Sequence, residues 1–432
     1  MGFPMHKLIY LVALALAACG GGGSGKNTVD SNQTIQPAVA TSNCTLKTYN
    51  STYPNSYVGS NLIPIPTDKF NTSLMRGVGV KDYYPSDNNG CATWQEHTRL
   101  LFNLTLDRLK TIGTDTVEIY PAGKVTDFSA NKWVVEDINW GIPKSELTYF
   151  IQEAHRKGLK VTLIWQFFPV DMKGVWLNTS NPTETDAIKF LRGWNEIMIE
   201  LAKFGAANNV DNINVHWNAF SYPTHLYAET ATKEFVSLIN NVRSVYNGKI
   251  FMGWPRFYDR RVIEKVDAIV VPLGPSNWTY IDDANISVSL LKQRYMDAIT
   301  GIYLDYSLNS GIDPRNIPII WDFNIQSRDK ALSQGWIEDG FCVDNGNNIV
   351  AFDSTSCLQK NYVTDFSVQA LAIEGAFQAV KQQTYFKNYG VNFSTGYWHT
   401  DTIIASDEGF PNLSQSIRGK PAENIVKHWF QK

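Results

Sequence analysis

The sequence predicts a single-domain (β/α)8 TIM barrel of the α/β class, and three observations support this fold. Short β-branched or apolar runs alternate with longer stretches that have helical periodicity. There are eight such units, and no low-complexity break interrupts residues 63–432. The apolar runs are nearly continuous, which is typical of parallel strands covered by helices on both faces. Eight units favour a closed barrel over an open, doubly wound sheet.

The open alternative also lacks its nucleotide-binding motif. Dinucleotide-binding sheets carry three glycines between the first strand and its helix. The stretch RGVGVKDY, residues 76–83, has no third glycine, and no helix follows it at once. We therefore predict no cofactor.

Predicted helices and strands follow one another in order through the domain. Helical stretches include residues 94–113, 143–158 and 232–248, and each ends in glycine, as helix C-termini often do. A terminal helix is predicted at residues 420–430. The predicted strands are 74–80, 115–120, 160–166, 212–217, 249–254, 267–273, 317–322 and 394–398.

The N-terminus has the layout of a secretory signal peptide. Residues 1–18 contain one lysine and then an apolar run too short to span a bilayer. The small residues before Cys19, followed by glycines, resemble the lipobox of bacterial lipoproteins. This resemblance implies cleavage before Cys19 and a lipid anchor on that residue, which would hold the exported protein on a membrane of the bacterial cell envelope. Gly20, in place of aspartate, favours the outer membrane. An ordinary signal peptide followed by a linker is the alternative.

Residues 19–62 are rich in Gly, Ser, Asn, Thr and Gln and predict a lipid-anchored flexible tether, because this composition buries little apolar surface. The barrel domain would then occupy residues 63–432.

Four cysteines remain after Cys19, and an even number in an exported chain predicts two disulfides. Proximity in sequence favours the pair Cys342–Cys357. The pair Cys44–Cys91 would then hold the end of the tether to the first barrel loop. No Cys-x-x-Cys pair is present, so a zinc site is disfavoured.

Composition narrows the class of partner. The formal net charge is −3 and there is no basic run, so we predict no nucleic-acid partner. Aromatic residues make up 13% of the chain, with 13 Trp and 20 Tyr, and charged residues only 18%. So many amphipathic rings must fill a large core or line a binding surface.

The functional site of such a barrel lies at the C-terminal ends of its strands. Indoles are large and their N–H groups need partners, so several of them converging on one face suit the apolar faces and hydroxyls of sugars. We therefore predict a carbohydrate-binding face, with purely structural tryptophans as the alternative. The tryptophans at or beside predicted strand ends are Trp165, Trp217, Trp254, Trp321 and Trp398. The polar residues there are Asp82, Gln166, Asn218, Asp322, Asn324, His399 and Asp401.

Several segments, taken in order, resemble a known family. They are MRGVGV (75–80), IQEAHRKGLKVTL (151–163), NNVRSVYNGKI (240–250), IPIIWDFNIQSRD (317–329) and IRGKPAENIVKHWF (417–430). Together they resemble clan-A glycoside hydrolases, and nearest among them family 113, whose known members are β-mannanases. The resemblance implies a (β/α)8 barrel that hydrolyses glycosidic bonds with retention. It also implies an acid/base Glu after strand four and a nucleophilic Glu after strand seven.

The sequence departs from this family pattern at both catalytic positions. Asp322 follows strand seven in place of Glu, and Asn218 lies near the acid/base position after strand four. An asparagine cannot shuttle a proton at neutral pH. Retaining catalysis needs two carboxyls about 5–5.5 Å apart and inverting catalysis about 6.5–9.5 Å, so the two-Glu retaining mechanism of the family cannot be transferred to this sequence.

Three hypotheses follow. In the first, Asp322 is catalytic together with Asp401 or Asp82, or with Asp171 across the mouth. In the second, the site binds glycan without cleaving it. In the third, the protein is an envelope scaffold with structural tryptophans.

Two further groups have a chemical and a structural interpretation. Glu118 lies within strand two, where it either points inward or pairs with an arginine such as Arg76. His216 and His399 could in principle hold a metal with a nearby aspartate, but a histidine hydrogen bond to a sugar hydroxyl or to the core is favoured. We predict no metal site.

Overall fold

The computed structural model describes the barrel domain and the end of the segment that precedes it. All of these residues belong to one compact unit, 42–432. The described residues are 53, 55–59, 61–81, 91–125, 143–169, 183–215, 227–253, 259–274, 286–333, 342–345, 349–351, 354–398 and 411–431.

Eight parallel strands close into a barrel, and a helix follows each of them, as predicted. Each strand pairs with its neighbour in sequence, and the last strand pairs with the first. The strands are β1 (Met75–Lys81), β2 (Thr116–Ile119), β3 (Lys160–Ile164), β4 (Asn212–Asn214), β5 (Lys249–Gly253), β6 (Ala268–Pro272), β7 (Pro318–Asp322) and β8 (Lys387–Trp398). The helices are α1 (Trp94–Thr111), α2 (Lys144–Arg156), α3 (Glu184–Ala207), α4 (Ala228–Val245), α5 (Arg260–Ile263), α6 (Val288–Asn309), α7 (Phe366–Gln382) and α8 (Pro421–Phe430).

Short elements extend the loops. The strand Ala122–Val125 after β2 pairs in parallel with Gln166–Pro169 after β3. The strand Cys342–Val343 pairs antiparallel with Ile349–Val350. No described helix is long and apolar enough to cross a bilayer.

β8 is the strand that the sequence predicts least well. It was expected to begin at residue 394, but it begins at Lys387. Its first half contains Asn388, Gly390 and Asn392, residue types with low strand propensity. Pairing with β1 and β7 on both sides overrides that propensity, with an irregularity in the β7 pairing between Asn388 and Gly390.

Alternation along the strands separates two environments. Residues such as Val78, Val117 and Leu163 face outward and belong to the large apolar cluster between barrel and helices. Inside the barrel, a small apolar cluster of Phe251, Ala268, Val270 and Ile320 fills one side. Near the C-terminal ends of β2, β7 and β8 the inward residues become polar, and this change places the candidate site.

Three aspartates join neighbouring strands at the opposite, N-terminal face. Asp115, Asp211 and Asp267 each directly precede an even-numbered strand. Their side chains accept the backbone N–H of Arg76, Val161 and Ile250, respectively, each at 2.9 Å. Strand pairs 1–2, 3–4 and 5–6 are therefore linked by the same carboxylate-to-backbone bond. Each aspartate also contacts a basic side chain: Arg76, His155, or Lys249 together with Arg243.

Asp267→Asn is expected to destabilise the fold by about 2 kcal/mol at neutral pH, since charge-assisted hydrogen bonds are lost. Burial alone would raise the pKa of Asp267, but the hydrogen bonds from Lys249, Ile250 and Arg243 outweigh it and lower that pKa. Its stabilising contribution is therefore present above the unfolded carboxyl value and is lost in acid. Urea unfolding near pH 7 and pH 3 measures it. Asp297→Asn on the exposed face of α6 is the control, and equal stability of both variants would contradict the expectation.

The disulfide prediction is confirmed for one pair. Cys342 and Cys357 are bonded to each other. Cys91 is also in a disulfide, but Cys44, its predicted partner, lies outside the described residues.

The predicted tether is shorter than expected. Tyr53 and Tyr57 pack edge-on against Phe366, and Asn61 Nδ2 donates to Ser367 Oγ at 3.2 Å. The prediction that the flexible tether runs to residue 62 is therefore corrected, because aromatic contacts attach its last residues to α7.

Candidate active site

Asp322 is the last residue of β7, and its side chain points into the barrel. It is 5% exposed. Its Oδ1 accepts a hydrogen bond from Asn392 Nδ2 at 3.0 Å and one from the backbone N–H of Ser394 at 2.8 Å, and both donors lie on β8. These bonds orient the carboxyl toward the C-terminal mouth, where a barrel carries its chemistry.

Glu118 is the second carboxyl of the barrel interior. It lies on β2, paired in register with Gly79 of β1, and is 2% exposed. It accepts the Tyr120 hydroxyl at 2.8 Å. The side chains of Asn392 and Ser394 lie within hydrogen-bonding reach of Glu118 as well as of Asp322. The two carboxyls are near enough for the negative charge of Asp322 to act on Glu118.

The two carboxyls have strongly perturbed acidities. Burial, followed by the negative charge of Asp322, raises the pKa of Glu118 to about 7, against hydrogen bonds from Asn392, Tyr120 and Ser394. Burial raises the pKa of Asp322 to about 6, against hydrogen bonds from Ser394 and Asn392. The pair titrates as a unit, so near neutral pH it holds about one proton. Glu118 is the more basic member and Asp322 the more acidic.

Asn324, two residues after β7, contacts the other oxygen of Asp322. Its amide nitrogen donates to Gln415 Oε1 at 2.7 Å and to the backbone oxygens of Ser394 and Phe323, each at 3.1 Å. This orientation turns the amide oxygen toward Asp322 Oδ2, 3.4 Å away. Oδ1 thus carries the short bonds from β8, and Oδ2 is the freer oxygen. Asn324 lies where the sequence placed it, and its role in substrate binding stays a prediction.

Trp321 does not face the mouth. Consecutive strand residues point to opposite faces, so Trp321 points outward because Asp322 points inward. The indole is fully buried, donates to Asn388 Oδ1 at 2.8 Å and packs edge-on against Phe386. The prediction that Trp321 binds substrate is therefore wrong.

The prediction for Trp165 fails for the same reason. Trp165 directly follows β3 and belongs to the same buried cluster as Val161 and Leu163, which face the helices. Thr162 between them points inward and accepts Asn212 Nδ2 at 3.0 Å. With 2% of its surface exposed, Trp165 belongs to the apolar layer between the barrel strands and the surrounding helices.

The other predicted site residues lie outside the described part of the chain. For Trp398 the structure describes only the backbone, at the end of β8. The remaining residues are Asp82, Asp171, Trp217, Asn218, Trp254, His399 and Asp401. Asp82 and Asp401 stay predictions as catalytic residues.

The structure decides between the two interpretations of Glu118. Arg76 does not pair with it: Arg76 Nε donates to Asp115 at 3.0 Å and Nη1 to the Phe430 backbone oxygen at 2.7 Å. Glu118 points inward and approaches Asp322 instead. The group is therefore a carboxyl pair, not an ion pair.

The sequence did not single out Asn392, Ser394 or Tyr120. Asn392 and Ser394 precede or open the stretch that was expected to be β8. Their signal is the period-two alternation in GVNFS (390–394), where Val391 and Phe393 are buried outward and the small or polar residues between them face inward. Among the described residues, no group of three His, Cys, Asp or Glu side chains could hold a metal ion.

Comparisons with known proteins bear on the fold. No family model and no curated protein matches the chain. A solved family 113 β-1,4-mannanase has 14% identity and a TM-score of 0.52, covering 84% of this chain and 100% of its own. The family 113 β-mannanase of Alicyclobacillus acidocaldarius, in complex with ManMIm, has 15% identity and a TM-score of 0.51, covering 83% and 97%.

These structures share the fold of this chain. The structural resemblance indicated by the sequence segments is confirmed, and it covers 83–84% of this chain. At 14–15% identity it establishes the (β/α)8 architecture, and the chemistry must be argued from the residues at the mouth.

Proposed function

We propose that this protein is a glycoside hydrolase that cleaves a polysaccharide or oligosaccharide at the C-terminal mouth of its barrel. The observation that supports it is the buried pair of Glu118 and Asp322, joined through Asn392 and Ser394. Glycoside hydrolysis uses two carboxyls with separated acidities, one protonated and one charged. The charge of Asp322 acts directly on Glu118, and a retaining mechanism would require the two carboxyls to lie about 5–5.5 Å apart.

The freer oxygen of Asp322 suggests the division of roles. Asp322 Oδ2 would bond to the anomeric carbon while protonated Glu118 donates its proton to the departing glycosidic oxygen. Water would then attack the anomeric carbon, lose a proton to the Glu118 carboxylate and release Asp322. The proton given in the first step is recovered in the second, so the cycle balances.

The first substrate to test is β-1,4-mannan, because the solved structures with the same fold are named β-1,4-mannanases. The mature full-length protein should release reducing ends from β-mannan or from another member of a panel of β- and α-linked glycans. Loss of signal in the Asp322→Asn protein ties the release to this site. Binding without release, seen as tryptophan fluorescence quenching, would replace the hydrolase with a glycan-binding protein. If the protein neither binds nor cleaves any glycan of the panel, the scaffold hypothesis remains.

We also propose that the protein is a lipoprotein of the bacterial cell envelope, anchored through Cys19 on the outer membrane. Support comes from the signal-like residues 1–18 and the glycines after Cys19. The wild-type chain should incorporate radiolabelled palmitate and fractionate with outer membranes. Cys19→Ala should lose the label and become soluble after export. Unchanged labelling of that variant would reject the anchor.

A further inference from the structure

Tyr120 is a buried tyrosine whose hydroxyl bonds directly to Glu118. It follows β2 at once and lies two residues beyond Glu118, so alternation puts both side chains on the inward side of the strand. Val117 and Ile119, which alternate with them, belong to the outer apolar cluster. The Tyr120 hydroxyl donates to Glu118 Oε2 at 2.8 Å, and the residue is 8% exposed. This hydroxyl is therefore held next to the carboxyl inside the barrel.

The backbone around Tyr120 is fixed on both sides. Before it, β2 pairs with β1 and with β3. After it, the strand Ala122–Val125 pairs with Gln166–Pro169. Only Tyr120 and Pro121 join these two paired segments. A tyrosine held in this way keeps its hydroxyl at a constant place, which is the requirement for a residue that positions a catalytic group.

The groups that act on the Glu118 carboxyl come from several strands. Its neighbours in register on β1 and β3 are uncharged, namely Gly79 and Thr162. Of the described residues, the groups that influence its ionisation are the charge of Asp322 and the hydrogen-bond donors Asn392, Ser394 and Tyr120. Burial and the charge of Asp322 oppose loss of the proton, whereas the hydrogen bonds favour the carboxylate.

A buried carboxylic acid gives up its proton readily only if the carboxylate that remains is stabilised. We infer that Tyr120 is a positioning residue that fixes Glu118 Oε2 and stabilises the negative charge formed when Glu118 protonates the departing glycosidic oxygen. A hydrogen bond to a charged oxygen is stronger than one to a neutral oxygen, so this bond strengthens as the proton leaves. It therefore stabilises the transition state more than the ground state. The inference deepens the proposed function and rests on it.

Tyr120→Phe tests this role, because it removes the hydroxyl and keeps the ring. The substrates are two glycosides of the sugar that the wild type cleaves, one with an alkyl and one with a dinitrophenyl leaving group. An alkoxide needs the proton of Glu118 to leave, whereas dinitrophenolate leaves without it. The variant should lose roughly 10- to 100-fold in kcat/KM on the alkyl glycoside and keep nearly its full rate on the dinitrophenyl glycoside. A purely structural role would lower both rates equally.

A titration without substrate gives the second readout. The hydrogen bond from Tyr120 lowers the pKa of Glu118, which burial raises to about 7. Tyr120→Phe should therefore raise that pKa further and move the alkaline limb of kcat/KM to higher pH. Carbon-13 NMR of labelled glutamate carboxyls measures the pKa, and Glu118→Gln identifies the signal. Tyr295→Phe is the control, because it removes a buried hydroxyl that has no partner among the described residues, and it should change neither readout.

The outcomes separate this inference from the proposed function. Equal losses on both glycosides, or an unchanged pKa of Glu118 in Tyr120→Phe, overturn the role of Tyr120. If that variant does not fold, 3-fluorotyrosine at position 120 decides, since its hydroxyl is a stronger donor and should lower the pKa of Glu118. A raised pKa in Tyr120→Phe, in a protein that hydrolyses no glycan, would uphold the action of Tyr120 on Glu118 and reject the hydrolase.

Discussion

Asp322→Asn is expected to lower kcat for glycan hydrolysis by roughly 10⁴-fold, because an amide cannot form and release a glycosyl ester. Asparagine keeps the shape of the side chain, and its oxygen can still accept the backbone N–H of Ser394. The variant should therefore fold with an unchanged circular dichroism spectrum and still bind oligosaccharide. Initial rates on the glycan that the wild type cleaves, together with binding by fluorescence quenching, measure both expectations.

Asp297→Asn is the matched control for this substitution, because it makes the same chemical change on the exposed face of α6. It should keep wild-type activity. If Asp322→Asn also stayed within about tenfold of the wild type, Asp322 would not be the nucleophile. The hypothesis would then move to Asp401, which follows the adjacent strand β8, or to Asp82, which follows β1, the next strand around the barrel.

Glu118→Gln is expected to stabilise the folded protein by roughly 3 kcal/mol above pH 7 while it lowers hydrolysis by about 10²- to 10⁴-fold. Burial and the charge of Asp322 raise the pKa of Glu118 from 4.5 to about 7. The folded protein thus holds this proton more tightly than the unfolded chain. The resulting stabilisation is complete below about pH 4.5 and is lost as the pH rises through about 7. Glutamine has no such proton to lose.

Urea unfolding of wild type and variant near pH 4.5 and near pH 8 measures this effect. The variant's advantage in free energy of unfolding should grow by roughly 3 kcal/mol between the two conditions, at about 1.4 kcal/mol per tenfold change in proton affinity. The same protein at low pH is its own control. If the variant's advantage in free energy of unfolding does not change with pH, the pKa of Glu118 is not raised in the folded protein. A gain in stability with a loss of activity is the trade-off expected at a catalytic site.

Much of the fold could be predicted because buried parallel strands leave a strong pattern in sequence. Seven of the eight strands were predicted within three residues of their observed ends. β8 was not, because its first half carries two asparagines and a glycine. These residues are unfavourable in strands on propensity, but two paired neighbours and the interior hydrogen bonds hold them there. One of the residues that weakened the prediction, Asn392, also belongs to the candidate site.

The site was harder to predict because strand ends reveal which residues are near the mouth but not which face they occupy. Asp322 was placed correctly at the end of β7. Trp321, its neighbour, was not, since a shift of one residue changes the face. Glu118 had two physically reasonable interpretations, pointing into the barrel or pairing with an arginine such as Arg76, and only the three-dimensional structure excludes Arg76. Asn392 connects strands that are distant in sequence, so no local pattern could show its contact with Glu118.

The way in which the strands are fastened has a consequence for turnover. At the N-terminal face of the barrel, aspartate side chains link the strand pairs 1–2, 3–4 and 5–6 by hydrogen bonds. β7 and β8 are instead linked near the C-terminal mouth, where the Ser394 N–H donates to Asp322. If Asp322 becomes an ester during the reaction, its Oδ1 changes from a charged to a neutral acceptor, and that bond weakens by about half. The link between β7 and β8 would then weaken and strengthen once in every catalytic cycle.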